Sequence, residues 1–174
     1  SIIVGPWMRR AMLQRSAVRI SDILTSESVY PALKAAARTE AIDELSAYVA
    51  RQIGTVSTES IAQAARLRES EFGTAIGYGV AIPHVRLEKV IKPVLIVARA
   101  FQGIDWNAPD GQPVRQIFFL VTPAGVHDVH IQILAAIARI VQNASNRDLI
   151  DSAEQDHLWP TLKMLFLQED TKKN

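Results

Sequence analysis

The chain has 174 residues, 48% of them hydrophobic, which is enough for one well-buried domain and makes a second independent core unexpected. Its 19 lysines and arginines nearly balance its 18 acidic residues, so no overall field draws the protein to nucleic acid. The absence of cysteine excludes disulfides, thiol nucleophiles and cysteine zinc sites, and suits a reducing cytoplasm. We therefore expect one principal cytoplasmic domain without nucleic acid as a partner.

The first twenty residues carry an uneven charge. They hold four arginines and no acidic residue, and the opening SIIVGPWMRR sets apolar residues before Trp7, Arg9 and Arg10. This order is typical of the cytoplasmic end of a membrane helix, although the apolar run is too short to span a bilayer. We predict that residues 1–17 are a basic tail or linker that includes the exit of a transmembrane helix and tethers the domain to the membrane. The alternative is a solvated basic tail.

Two amphipathic helices follow in chain order. In the first, apolar residues recur every three or four positions from Ile42 to Ile53. The second begins at Ser57 or Thr58, whose hydroxyls can cap free amides, and it ends near Gly73.

Two strands and further helices come next. The runs VLIVARAF (94–101) and QIFFLV (116–121) are rich in β-branched and aromatic residues and flank a turn-forming segment, which predicts an antiparallel hairpin. The apolar stretch 128–141 predicts a buried helix, and 146–167 predicts two short helices separated at Pro160.

These elements predict an α/β (α+β) fold, in which a mixed β-sheet is flanked by helices in a three-layer arrangement. The predicted domain spans residues 18–168, and residues 169–174 form a C-terminal tail.

The stretch GYGVAIPHVR places a single histidine at the end of an apolar, glycine-rich run. Pro83 restricts the backbone before His84, while Gly77 and Gly79 allow conformations and close approaches that side chains would block. His130 lies in the first turn of a predicted helix, where free amides and the helix dipole favour an anion. The two histidines can therefore form a phosphate site.

Other interpretations use the same histidines. Each can be a surface or hydrogen-bonded core residue. His127 and His130 are spaced for a shared zinc, but no HExxH motif accompanies them, and His127 is otherwise a helix-entry residue. A dinucleotide site is rejected because Ile82 stands at the expected third glycine, and no GxSxG elbow supports a serine triad.

Two longer stretches carry a family resemblance. LRESEFGTAIGYGVAIPHVR and FQGIDWNAPDGQPVRQIFFLVTPAGVHDVHIQILAAIARI resemble the fructose, mannitol and nitrogen-regulatory type of enzyme IIA from the bacterial phosphoenolpyruvate-dependent phosphotransferase system. The resemblance implies that His84 accepts a phosphoryl group from phosphorylated HPr and that His130 lies beside it. It also implies that Arg68 and Thr74 line the phosphate pocket. Without the family resemblance, we would interpret Arg68 as a solvent-exposed charge at a helix end and Thr74 as a residue whose hydroxyl stabilises a turn.

The chemistry of the residues agrees with this interpretation. A neutral imidazole is a competent nucleophile near neutral pH, and charged or polar neighbours need only position the phosphoryl group, so no metal or cofactor is required. The expected partners are an HPr-like phosphocarrier and a sugar permease component or transporter membrane domain. The alternative function is a regulatory enzyme IIA-like module that controls a fused transporter such as a cation/proton antiporter.

The chain departs from the family pattern at Val85, where a small residue commonly follows the acceptor histidine. We expect Val85 to reshape the rim on which the phosphoryl donor docks.

Overall fold

The computed structural model describes residues 19–172, so the predicted basic tail at residues 1–17 lies outside the described residues. Three short 3-10 helices occur, at Ile20–Ile23, Ser26–Ser28 and Gln155–His157. The α-helices are α1 (Arg38–Ile53), α2 (Thr58–Glu71), α3 (His127–Gln142), α4 (Ala144–Ser152) and α5 (Leu158–Thr171). The strands are β1 (Ala75–Gly77), β2 (Val80–Ala81), β3 (His84–Leu87), β4 (Val94–Ile104) and β5 (Val114–Pro123).

Strand β5 is the centre of a mixed sheet. On one edge it pairs antiparallel with β4, with Val94 opposite Val121 and Arg99 opposite Gln116. On the other edge β2 and then β3 pair with it in parallel, and β1 pairs antiparallel with β2. The predicted β4–β5 hairpin and the predicted mixed sheet are therefore confirmed.

The core lies on both faces of this sheet because alternate residues of β5 point to opposite sides. Ile117 and Phe119 join a cluster that includes apolar residues of α1 and α2, whereas Phe118 and Leu120 join one that includes α3 and α5. All four of these β5 side chains are fully buried. The arrangement is helix, sheet, helix, as predicted.

The predicted break at Pro160 is wrong. The interruption lies earlier, between the end of α4 at Ser152 and the 3-10 helix before α5, and Pro160 is in the first turn of α5. A proline is tolerated there because first-turn amides have no acceptor within the helix. Within residues 19–172, no helix combines the length and apolar character needed to cross a membrane.

Candidate functional site

An open groove of about 560 Å³ lies where the end of α2, strand β3 and the start of α3 meet. The parallel pairing of β3 with β5 brings this about, because α3 follows β5 after a short turn and so begins beside β3. Arg68, His84 and His130 line the groove, together with Arg86 and His127. The structure thus brings together three of the four residues predicted to form the site.

Both ring nitrogens of His84 have partners. Nδ1 lies 2.7 Å from the carbonyl oxygen of Ile82, and Nε2 lies 3.3 Å from Nε of Arg68. A carbonyl oxygen only accepts and a guanidinium only donates, so the ring proton is on Nδ1 and the lone pair on Nε2. Burial is the main cause that lowers the pKa of His84; the Ile82 carbonyl opposes this effect and Arg68 adds to it. The neutral ring therefore offers Nε2 to the groove.

Backbone pairing, not the glycine run, holds His84 in place. The carbonyl of Pro83 accepts a hydrogen bond from the amide of Leu120 at 2.9 Å, and His84 lies opposite Leu120 in the sheet. Gly77 and Gly79 instead form the β1–β2 turn, where both have positive φ. The carbonyl of Gly79 accepts hydrogen bonds from the amides of Arg115 and Gln116 at the start of β5. Gln116 is roughly 13 Å from Leu120 along the strand. Gly77 and Gly79 thus serve the β1–β2 turn, and the pairing of β3 with β5 positions His84.

His130 is the second histidine of the groove. It lies in the first turn of α3, is only 5% exposed, and its ring centroid is 5.4 Å from that of His84. Its Nδ1 is 2.5 Å from the hydroxyl of Thr122 on β5. Burial, followed by the charges of His84 and Arg86, lowers the pKa of His130 to about 4. His130 is therefore neutral at pH 7.

Arg68 links the end of α2 to His84. Its Nη1 donates to the carbonyl of Phe72 at 2.7 Å while its Nε donates to His84. The first bond caps the C-terminal end of the helix, where cations are favoured. The bond to Phe72 thus holds the guanidinium at the edge of the groove, next to His84.

Thr74 lies outside the groove, contrary to the prediction. It is 4% exposed, its amide donates to Oε1 of Glu69 at 3.0 Å, and its hydroxyl donates to Oε2 of the same carboxylate. Nε1 of Trp106 donates to the Thr74 hydroxyl oxygen at 3.3 Å. Thr74 therefore satisfies a buried carboxylate and is not among the residues that line the groove.

The carboxylate of Glu69 also faces α1. Nη1 of Arg38 lies 3.9 Å from Oε1 of Glu69 and donates to the carbonyl of Trp106 at 3.2 Å. Adjacent helix residues point in directions about 100° apart, so Arg68 faces the groove while Glu69 faces the interior. The buried network joins the start of α1, the end of α2 and the segment between β4 and β5, and it holds in place the helix end that carries Arg68.

Arg86 and His127 belong to the groove, although neither was predicted to be part of the phosphate site. Arg86 is two residues after His84 on β3 and therefore shares its face of the strand, and its Nη1 donates to Nδ1 of His127. Because every second residue of a strand faces the same side, Arg86 could have been identified from its position two residues after His84. Among residues 19–172 no cluster of three or more metal-ligating side chains exists, so the zinc alternative has no support there.

Comparison with known proteins agrees with the fold and the motifs. Residues 22–164 match the family model for "Phosphoenolpyruvate-dependent sugar phosphotransferase system, EIIA 2". A nitrogen regulatory protein of Bradyrhizobium diazoefficiens is 38% identical over 124 residues, which cover 71% of this chain and 80% of that protein. A fructose-specific EIIA component of Haloferax volcanii is 37% identical over 50% of this chain and 56% of its own length.

Solved structures show the same fold. The nitrogen regulatory protein IIA-Ntr from Neisseria meningitidis superposes with a TM-score of 0.77 at 23% identity, covering 84% of this chain and 98% of that one. The resemblance read from the sequence motifs is confirmed. The chain belongs to the EIIA type 2 family of the phosphoenolpyruvate-dependent sugar phosphotransferase system.

Proposed function

We propose that the domain is a phosphoryl carrier and that Nε2 of His84 is the acceptor atom. The observation that carries this proposal is the arrangement of the ring: Nδ1–H is held by the Ile82 carbonyl and the lone pair of Nε2 faces an open groove. In the transfer step the P–N bond to the donor histidine breaks as a P–N bond to Nε2 forms. The electron pair leaves with the donor nitrogen, and no proton has to move. The Ile82 carbonyl then stabilises the positive charge that the ring acquires.

The charge of the transferred group calls for donors around Nε2, because positioning and charge neutralisation are the main tasks in phosphoryl transfer. The 3.3 Å bond from Arg68 to Nε2 is long, so the guanidinium can turn from the lone pair to a phosphoryl oxygen at little cost. His130 can donate from Nε2 when the Thr122 hydroxyl donates to its Nδ1. The N-terminal end of α3 adds the positive end of a helix dipole.

The donor in this proposal is a protein. Leu67 and Ile131 line the groove and are 61% and 51% exposed, which gives the site an apolar rim suited to a macromolecular partner. An HPr-like phosphocarrier fits the role of the phosphoryl donor. A permease-associated enzyme IIB fits the role of the phosphoryl acceptor. A mannitol enzyme IIA of Escherichia coli was solved in complex with phosphorylated enzyme IIB, and it has this fold, with a TM-score of 0.64 at 20% identity.

Phosphorylation in a reconstituted system tests the acceptor. The purified protein is incubated with enzyme I, HPr and labelled phosphoenolpyruvate, and the phosphohistidine is mapped by mass spectrometry. We expect one labelled histidine in the wild type and none in His84→Ala. His157→Ala is the matched control because His157 is exposed and lies outside the groove, so it should label normally. Label on any histidine other than His84 would reject the assignment.

A regulatory role is the second candidate, and the 38% identity to a protein named nitrogen regulatory protein favours it. In that case the domain acts by contact with a partner, and phosphorylation of His84 changes the contact by adding negative charge. Affinity for that partner would then differ between the wild type and a variant that cannot be phosphorylated. The predicted fusion to a cation/proton antiporter concerns residues 1–17, outside the described residues, and stays a prediction.

A further inference from the structure

Arg86 is a second guanidinium at the groove, and it contacts the start of α3 whereas Arg68 contacts the end of α2. It lies two residues beyond His84 on β3, roughly 7 Å along the strand, with its side chain on the same face. It lines the same groove as both histidines, and its charge contributes to the lowered pKa of His84 and of His130. Arg86 is exposed and is therefore free to change its contacts.

His127 determines where Arg86 points. It is the first residue of α3, and its Nδ1 accepts a hydrogen bond from Nη1 of Arg86. A guanidinium cannot accept a hydrogen bond, so Nδ1 of His127 is the acceptor in this contact and anchors Arg86. The histidine thus fixes a long, flexible side chain beside the acceptor instead of leaving it in solvent.

The charge on the group to be transferred exceeds what Arg68 alone can neutralise. A phosphoryl group on a ring nitrogen has two negative charges at neutral pH, spread over three oxygens. The lining of the groove contains two arginines, Arg68 and Arg86, and one carboxylate, Glu71. Two guanidiniums, one held at the end of α2 and one at the start of α3, provide the charge and the donors that such a group needs.

We propose, on the basis of the proposed acceptor role of His84, that Arg86 is a second phosphoryl-binding residue of the transfer reaction and that His127 is the residue that positions it. In the unphosphorylated domain Arg86 bonds to His127. When the phosphoryl group reaches Nε2 of His84, Arg86 donates to its oxygens together with Arg68.

The test measures the rate of His84 phosphorylation by phosphorylated HPr as a function of HPr concentration. Arg86→Met should lower the maximal rate by about tenfold, because one hydrogen bond to a charged group is lost in the transition state, while KM stays within about twofold. Arg115→Met is the matched control, since Arg115 is also an exposed strand arginine but lies at the far end of the sheet. It should transfer at the wild-type rate.

Variants of His127 test the positioning role. His127→Leu removes the acceptor for Arg86 and should lower the maximal rate by roughly threefold, whereas His127→Asn keeps an acceptor oxygen near the place of Nδ1 and should restore most of it. In an Arg86→Met background, His127→Leu should cause no further loss, because its effect passes through Arg86.

The outcomes separate this proposal from the one on which it rests. If His84 is labelled and Arg86→Met transfers as fast as the wild type, Arg86 has no role and the acceptor assignment stands. A loss confined to KM would make Arg86 a docking residue and overturn the proposal. If the losses of rate from Arg86→Met and His127→Leu are additive in the double variant, His127 does not act by positioning Arg86. Absence of label on His84 in the wild type would overturn both proposals.

Discussion

The burial of His130 predicts that the domain loses stability in mild acid. In the folded protein the pKa of His130 is lowered from 6.5 to about 4, mainly because burial disfavours the charged ring and secondarily because His84 and Arg86 repel it. The unfolded chain therefore binds more protons between pH 6.5 and pH 4, and stability falls as the pH drops through this window. At about 1.4 kcal/mol for each pKa unit, the loss due to His130 reaches about 3 kcal/mol at most.

The assay is urea unfolding followed by far-UV circular dichroism at several pH values from 7 to 4. His130→Asn is the matched variant, because its side-chain oxygen can accept the hydrogen bond from Thr122 but does not titrate. We expect the free energy of unfolding of the wild type to fall more steeply than that of the variant, so that their difference changes by about 1 to 3 kcal/mol across the window. The carboxylates contribute equally to both curves. Parallel curves would show that His130 is not held neutral by burial, and the reasoning would fail.

Two further substitutions test the structural assignments. Thr74→Val should lower the free energy of unfolding by about 1 to 3 kcal/mol, because the buried carboxylate of Glu69 loses a hydroxyl donor. It should leave the rate of transfer to His84 unchanged. A stable variant with slow transfer would show that Thr74 belongs to the phosphate site. Gly103→Ala should destabilise by about 3 kcal/mol, because its Cβ would lie 2.8 Å from Cβ of Pro113 at a φ of +74°, as measured by thermal unfolding. Gly111→Ala, with a similar φ but open space, should cost only about 1 kcal/mol, and equal losses would contradict the steric argument.

The elements that could be predicted from the sequence are those specified by local patterns. The two strands of the hairpin are long runs of β-branched and aromatic residues, and helix α2 has a serine whose hydroxyl accepts from the amide of Ser60, as expected of an N-cap. Pro160 misled the prediction because a proline is compatible with a first turn as well as with a break. Local sequence does not distinguish these cases; the packing of α5 into the core does.

The site could be predicted only in part, because its contacts join residues far apart in sequence. Arg68 and His84 were expected together from the family motifs, but the sequence does not show that the amide and hydroxyl of Thr74 bond to Glu69 and not to a group in the groove. The contact between Arg86 and His127 spans 41 residues and exists because β3 and β5 are parallel neighbours. No local pattern specifies that pairing.

The same strand geometry changes the interpretation of Val85. We expected this residue to reshape the docking rim. Val85 is only 6% exposed and packs in the hydrophobic cluster that includes residues of α1 and α2. Its side chain points away from that of His84 because successive residues of a strand face opposite sides. Val85→Gly should therefore lower the free energy of unfolding by about 3 kcal/mol, from lost burial and from the greater freedom of glycine in a strand. Val85 also lines the groove, but its surface there is small, whereas Leu67 and Ile131 are more than half exposed. The KM for phosphorylated HPr should therefore stay within about twofold of the wild-type value. Chemical unfolding and transfer kinetics on the same preparation decide the matter. A stable variant with a changed KM would place Val85 back in the docking surface.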